Sequence, residues 1–408
     1  MIERAPRAVG EGLLLAVLLG APGTAQDAVR VPPSAGPEPL GPARSAVQTP
    51  RGDLLVLLAT GRVEFLDAAS GASLATLRPD GAAHGGIAVA RDFSRIALRD
   101  AEDNVRILPL GLDETTDPAG IDWTERRPDV AFVAHRSDRW SPSVLQWTGD
   151  GEHLVIWGEQ SYHQEPTTPP QVWTAGGELV WTGPKACDAA LHPEVNRLAF
   201  VRVNEVSLGW PVTGFETVDV PGAFGTIEYD PCGERLAVGG RNMRIDQERG
   251  LGLKDRFTGA PQLRVLDGET GRVTLDVDVS DVDIPGLTSW LHRLSWSPDG
   301  RHIGISAGKG HKPGVVSSKD GSVVLRVECV YGQMWKTFPV GWAGSDLFLP
   351  GAWLEGLVPV DAPEDRIEGF LCGGAKGLAL RGSTDILLLL DDGLARFDPA
   401  TRKVVWKR

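Results

Sequence analysis

One twelve-residue phrase constrains this chain more than any other feature. Leu294-Ser295-Trp296-Ser297-Pro298-Asp299-Gly300-Arg301-His302-Ile303-Gly304-Ile305 alternates apolar with polar residues, reverses, and alternates again. Proline presets φ for a turn and glycine accepts the positive φ that follows, so the segment reads as strand, tight turn, strand. The phrase returns with substitutions. Ile227-Glu228-Tyr229-Asp230-Pro231-Cys232-Gly233 leads into Arg235-Leu236-Ala237-Val238, and Leu145-Gln146-Trp147-Thr148-Gly149-Asp150-Gly151 leads into His153-Leu154-Val155-Ile156. Leu191-His192-Pro193-Glu194 leads into Arg197-Leu198-Ala199-Phe200, and weaker copies begin near Val47, Val89, Val340 and Leu378. These starts recur every ~40 to 65 residues, the period of sheet-sized repeats.

A second phrase closes the units. Val63-Glu64-Phe65-Leu66-Asp67 runs through Gly71 to Ser73–Leu77, Leu263–Asp267 runs through Thr270-Gly271 to Val273-Thr274-Leu275, and Leu394–Asp398 runs through Thr401 to Val404-Val405-Trp406. Each reads as a strand, a short turn and an outer strand. Two phrases per unit give four antiparallel strands, and hardly any stretch keeps a helical period. A four-stranded sheet cannot bury both faces alone, whereas sheets stacked radially bury them against one another. Leu54, Val56 and Leu58 are placed to fill such layers, and the 13 Trp residues mostly fall on strand phase, which assigns them to packing between sheets.

The Ser297-Pro298-Asp299-Gly300 turn and the Leu266-Asp267…Thr270-Gly271 turn resemble those of the WD-repeat-like and YVTN-type β-propeller superfamily, in particular its exported bacterial members. The Trp-Asp ending of WD repeats is replaced by Leu66-Asp67, Leu266-Asp267 and Phe397-Asp398. Trp181 and Trp406 on outer strands are also similar to the quinoprotein-like, eight-bladed propellers. The resemblance implies an all-β propeller over residues 43–408. Eight blades are favoured by the tally of starts; seven is the alternative if the Val340 unit is not independent.

The first residues read as an export signal. Arg4 and Arg7 precede the apolar run Leu13–Leu19, followed by the small residues Gly23-Thr24-Ala25, with cleavage expected after Ala25. A run this short does not span a ~30 Å hydrocarbon core. Residues 26–42, rich in Pro, Ala and Gly, read as a linker. A periplasmic or extracellular location follows. A formal net charge of −13 without a basic run argues against nucleic acid as partner.

In a propeller the connections between the second and third strands share one end with those between sheets. The longest insertions here are Glu159–Pro170, Arg241–Pro261 and Gly308–Pro313 between second and third strands, with Gly111–Pro142 between units. Long loops on a rigid scaffold are where binding concentrates. Tyr162, His163, Arg241, Arg244, Trp290, His292, Lys309 and His311 are the candidate partner-binding residues. The mixed charge of the Arg241–Pro261 segment suits a protein or a polar ligand such as a glycan.

His163, His292 and His311 are a conceivable metal set, but their spacing matches no ligand motif and isolated surface histidines are the commoner case. The run Asp276-Val277-Asp278-Val279-Ser280-Asp281-Val282-Asp283 reads as an outer strand with one charged face rather than a calcium loop. Cys187, Cys232, Cys329 and Cys372 show no metal spacing, and export makes one disulfide possible. No nucleophile elbow, phosphate loop or dinucleotide fingerprint is present, so no cofactor and no catalytic residue is expected. These features point to a non-catalytic scaffold that presents loops to a protein or glycan. The alternative is a propeller enzyme, a lactonase-like hydrolase or a quinone-cofactor dehydrogenase.

Overall fold

The structure is a computed structural model. It describes residue 40 and residues 43–58, 60–77, 86–100, 104–123, 128–134, 143–158, 169–221, 225–243, 257–279, 291–307, 314–327, 341–342, 344–349, 358–363, 377–379, 385–390, 393–401 and 403–408. Within them the chain forms consecutive antiparallel sheets, each built from strands adjacent in sequence.

The first blade contains β1 (Ala43–Gln48), β2 (Leu54–Leu58), β3 (Val63–Leu66) and β4 (Ser73–Leu77). The second contains β5 (Gly86–Val89), β6 (Arg95–Arg99), β7 (Asn104–Pro109) and β8 (Val130–Val133). The third contains β9 (Ser143–Trp147), β10 (His153–Gly158), β11 (Gln171–Thr174) and β12 (Leu179–Thr182). The fourth contains β13 (Asp188–Leu191), β14 (Leu198–Arg202), β15 (Glu205–Trp210) and β16 (Gly214–Asp219). The fifth contains β17 (Thr226–Tyr229), β18 (Arg235–Met243), β19 (Phe257–Asp267) and β20 (Val273–Asp278). The sixth contains β21 (Leu291–Trp296), β22 (His302–Ala307), β23 (Gly314–Ser317) and β24 (Val323–Arg326). A smaller sheet of β25 (Gly341–Trp342), β26 (Leu347–Leu349) and β27 (Val358–Pro359) follows. The last blade contains β28 (Gly377–Ala379), β29 (Ile386–Leu390), β30 (Gly393–Asp398) and β31 (Lys403–Lys407).

The molecule is therefore a β-propeller with seven four-stranded blades. The expectation of eight equivalent blades is corrected at the Val340 unit, which has three short strands among the described residues. Its β27 is two residues long, and residues 364–376, which follow it, lie outside the described residues.

Burial follows strand alternation. On β2, Leu54, Val56 and Leu58 enter a cluster with Leu387, Leu389 and Leu394 of the last blade. The intervening Leu55 and Leu57 enter another with Ile96 and Leu98 of the second blade. The same two-sided burial joins second to third, third to fourth, fourth to fifth and fifth to sixth blades. Val315 and Leu325 of the sixth pack with Trp342 and Val358 of the small sheet, whose Leu347 packs against the last blade. Each such aliphatic side chain contributes about 1.5–3 kcal/mol on leaving water, which makes these layers the main favourable term.

The turns between third and fourth strands explain the second phrase. Asp67 accepts hydrogen bonds from the Ser70 amide (2.7 Å) and hydroxyl. Asp267 accepts from the Thr270 amide (2.8 Å) and hydroxyl (2.7 Å), and Asp398 from the Thr401 hydroxyl (2.6 Å). Gly71 and Gly271 take φ of 71° and 69°, a left-handed conformation that costs glycine little. A register irregularity stands beside both of these turns, between Phe65 and Leu66 and between Val265 and Leu266.

These carboxylates make stability pH-dependent. Burial raises the Asp299 pKa, but hydrogen bonds from Ser297 and Arg301 outweigh it and hold it at about 2; Asp320 is held at about 2 by Ser322. Their unfolded value is near 3.8, so the folded state binds fewer protons between the two values. Stability is expected to be flat above about pH 5 and to fall as pH drops through 3.8 toward 2. Denaturant midpoints measured from pH 7 to pH 2 check this, and Asp299→Asn should flatten the acid limb.

Tryptophan ties the blades in a repeated way. The indole ending the first strand of a unit donates to the carbonyl of the residue before the equivalent position in the preceding unit: Trp147 to Ala88 (3.1 Å), Trp296 to Glu228 (3.0 Å), Trp342 to Ser295 (2.9 Å). The residue opening the preceding unit's second strand lies on each ring. Arg95 lies over Trp147 at 5.7 Å, Arg235 over Trp296 at 4.8 Å, and His302 stacks on Trp342 at 6.1 Å.

Among the described residues no strand is shared between the first and last blades. The last blade instead packs laterally on the first. Arg396 pairs with Asp385 (2.6 Å) and donates to the Ala68 carbonyl (2.9 Å), which also receives the Trp406 indole (3.1 Å). Arg408 donates to the Gly71 carbonyl (2.6 Å), and Leu40 is buried in the same seam.

Candidate functional site

The two ends of the ring differ. One end carries the turns between first and second strands and between third and fourth strands, and these are closed by their own side chains. The Ser297 hydroxyl donates to Asp299 (2.6 Å) and accepts from the His302 amide (2.9 Å), and Thr148 does the same with Asp150 and His153. Burial and then Arg197 lower the His192 pKa, and its Nδ1 accepts the amides of Glu194 (3.0 Å) and Val195 (3.1 Å).

The Gly111–Pro142 segment belongs largely to this end, which corrects its reading as a connection between units. Val130–Val133 is the outer strand β8 of the second blade. The excursion before it docks on the first blade: Trp123 stacks on Phe65 at 4.5 Å, and Arg51 pairs with Asp117 at 2.6 Å. Its Trp123 indole donates to the Pro118 carbonyl (2.8 Å).

At the opposite end the connections are unequal. In the first blade β2 passes to β3 through a tight turn, with the Gly61 amide on the Leu58 carbonyl (2.9 Å). In the fourth blade β14 passes to β15 through Asn204 at φ 59°. The third, fifth and sixth blades make longer passages there, from Gly158 to Gln171, Met243 to Phe257 and Ala307 to Gly314. Long passages between units also leave this end, from Asp278 to Leu291 and from Arg326 to Gly341, whereas the chain leaves the small sheet at Pro359 from the end of the closed turns.

Tyr162, His163, Arg244, Trp290, Lys309 and His311 lie outside the described residues. Arg241 and His292 lie on strands. Arg241 pairs with Pro261 near the far end of the β18–β19 ladder, and that ladder continues to Met243 and Phe257. The Arg241–Pro261 segment therefore begins and ends as strand, because the hairpin outruns its neighbours β17 and β20. His292 sits at the irregularity between Leu291 and Arg293, where β21 pairs with the end of β22. The strand ends that bear Arg241 and His292, and those flanking residues 308–313, thus belong to adjoining blades. The fourth blade separates them from the passage containing Tyr162 and His163.

Buried polar residues brace this end. Asp188 opens β13 and accepts the Trp157 indole of the third blade (3.2 Å), its neighbour's Ala189 amide (2.8 Å) and the Ile227 amide of the fifth blade (3.3 Å). Arg264 donates to Asp276 (3.1 Å), to Gln262 (2.7 Å) and to the Pro221 carbonyl. Asp276 and Asp278 lie on the outer strand β20, as their alternation with valine suggested, and residues 280–283 of that run lie outside the described residues. Neither Asp188 nor Arg264 stands out in the sequence, since each sits within an ordinary strand pattern; only the ring brings their partners together.

Burial, and then the Asp188 charge, push the Cys187 thiol up to about 12, so it stays protonated and inert. Cys187 and Cys232 are free thiols, whereas Cys329 and Cys372 lie outside the described residues. Among the described residues no three His, Cys, Asp or Glu side chains are arranged to hold a metal, and the proposed histidine set lies beyond what they test. Among them, too, no helix is long and apolar enough to cross a membrane.

No family model and no curated protein matches the chain. Among solved structures the chain is similar to a chain of Kuenenia stuttgartiensis hydrazine synthase, with 12% identity and a TM-score of 0.47 over 84% of this chain and 99% of that one. At that level the similarity carries nothing about activity.

Proposed function

We propose that this protein is an exported, non-catalytic binding or assembly scaffold whose ring holds a protein or glycan partner at one end. The observation that carries the reading is the asymmetry of the ends. Turns closed by their own side chains, and an excursion of the second blade docked on the first, occupy one, while the long passages of the fifth and sixth blades leave from adjoining strand ends at the other. A rigid ring loses little entropy on presenting such segments, which favours recognition over chemistry. Residues 244–256 carry Arg244, Arg249, Lys254 and Arg256 against Asp246, Glu248 and Asp255, a mixed surface suited to polar contacts. The apolar run at Leu13–Leu19 supports delivery outside the cytoplasm, where the mature chain would begin at Gln26.

The test replaces residues 244–256 with an Asn-Gly turn joining Met243 to Phe257, since two-residue turns of this kind close hairpins. In-cell crosslinking followed by mass spectrometry is expected to lose the partner seen with the parent protein, with the thermal midpoint nearly unchanged. Retention of the same crosslinked partner would exclude this passage as the contact. An intact mass that retains residues 1–25 would exclude cleavage after Ala25.

A further inference from the structure

The contact between the first and second blades departs from the repeat that ties later ones. At the last position of a unit's first strand, Trp147, Trp296 and Trp342 are buried, each with its indole on a carbonyl of the preceding unit. In the second blade that position is Val89, which pairs with Ile96 as Trp147 pairs with Leu154 and Trp296 with Ile303. The carbonyl in the matching place is that of Val47. It pairs with Leu55 as the two indole acceptors Ala88 and Glu228 pair with Ala97 and Ala237.

Valine is too short to fill the place of an indole. A cleft of about 170 Å³ remains there, lined by Ser45, Val47, Leu55, Ile87 and Val89. Ser45, Val47, Ile87 and Val89 are only half-buried, so the cleft is open to solvent. Leu55 takes up part of the space, since the matching residue beside the indoles is Ala97, Ala237 or Gly304. What is left is sized for one ring: an apolar protein cavity of about 150 Å³ holds a benzene molecule.

The lining sets the chemistry of an occupant. Its side chains are aliphatic apart from Ser45 and none is charged, so an ionised ligand would lose its hydration without a partner. The Ser45 hydroxyl is the one polar side-chain group, and it has no hydrogen-bond partner among the described residues. The indoles of the later units show that adjoining sheets of this ring accept a planar ring at this level. A single ring with one hydroxyl directed to Ser45 meets both the apolar walls and the free polar group.

We propose that the cleft between the first and second blades binds a neutral, single-ring aromatic molecule carrying one hydroxyl, a phenol, with its ring among Val47, Leu55, Ile87 and Val89 and its hydroxyl on Ser45. Calorimetric titration of the purified protein with phenol is expected to show saturable binding at one site per chain, and titration with benzene a weaker binding. Ser45→Ala is expected to weaken phenol by about three- to tenfold and to leave benzene unchanged. Val89→Phe, which sets a ring of the chain's own into the cleft, is expected to abolish both and to keep or raise the thermal midpoint. If that variant does not fold, the Ser45→Ala comparison decides by itself. No saturable phenol binding, a Ser45→Ala effect no larger for phenol than for benzene, or binding retained by a folded Val89→Phe variant would each overturn the proposal.

Discussion

Trp296→Ala is expected to lower the unfolding free energy by about 4 kcal/mol, within the range for removing a buried aromatic side chain. The indole is buried between the fifth and sixth blades with Leu263, Ile303 and Ala237, so truncation leaves a void in the layer that holds two sheets together. It also strands two partners: the Glu228 carbonyl loses its donor, and the Arg235 guanidinium loses the ring beneath it. Arg235 keeps its bonds to Asp230 (2.9 Å), Ser318 (3.0 Å) and the Gly300 carbonyl (2.8 Å), so the damage stays near the interface. Trp296→Phe keeps a six-membered ring in the layer but loses the indole bond and the smaller ring, at a cost of about 1–2 kcal/mol, clearly less than Trp296→Ala. Equilibrium denaturation of both variants checks the ordering. Equal losses would mean that the hydrogen bond, rather than the packing, joins these blades.

Gly149→Pro should destabilise the protein by about 2–3 kcal/mol, the scale of overpacking in a close-packed site. This runs against the turn pattern. Four of the turns between first and second strands carry proline at the matching position, Pro50, Pro193, Pro231 and Pro298, and a compatible proline normally stabilises by restricting the unfolded chain. At Gly149 the neighbouring turn of the fourth blade lies too close: a Cβ there would sit 2.2 Å from the Glu194 carbonyl oxygen and 2.7 Å from its carbon. Both atoms are backbone, so neither moves aside cheaply. The approach is held by Asn196 donating to Asp150 (2.7 Å) across the two turns. A denaturation midpoint equal to or above that of the parent protein would show that these turns are farther apart than described.

These two residues also show where the sequence is informative. The turn chemistry made the sheets legible, because Asp267, Thr270 and Gly271 act on one another within a few residues and their spacing carries the whole interaction. Whatever depends on a neighbouring blade was not legible. Gly149 looks like a degenerate proline position until the fourth blade is set beside it, and Asp188 looks like a strand residue until Trp157 and Ile227 approach from either side. The small sheet was counted as a full blade on the weak start near Val340; it has three short strands among the described residues, and residues 364–376, which follow β27, lie outside them. The reading of Gly111–Pro142 erred for a similar reason. Its apolar residues Leu112 and Trp123 serve a neighbouring blade's core, so they show no strand period of their own. For the candidate site the sequence indicated long passages at one end, and the strand ends place those of the fifth and sixth blades together.

The account depends most on the seam between the first and last blades, where leucine packing and the bonds of Arg396, Trp406 and Arg408 replace a shared strand. Spin labels at Ala69→Cys and Ala400→Cys, both exposed turn positions on the two sides of that seam, measure it directly once the native cysteines are replaced by serine. Pulsed dipolar spectroscopy should return one short, narrow distance distribution, as for neighbouring blades of a closed ring. A broad distribution centred far beyond one blade's width would mean that the chain is an open arc.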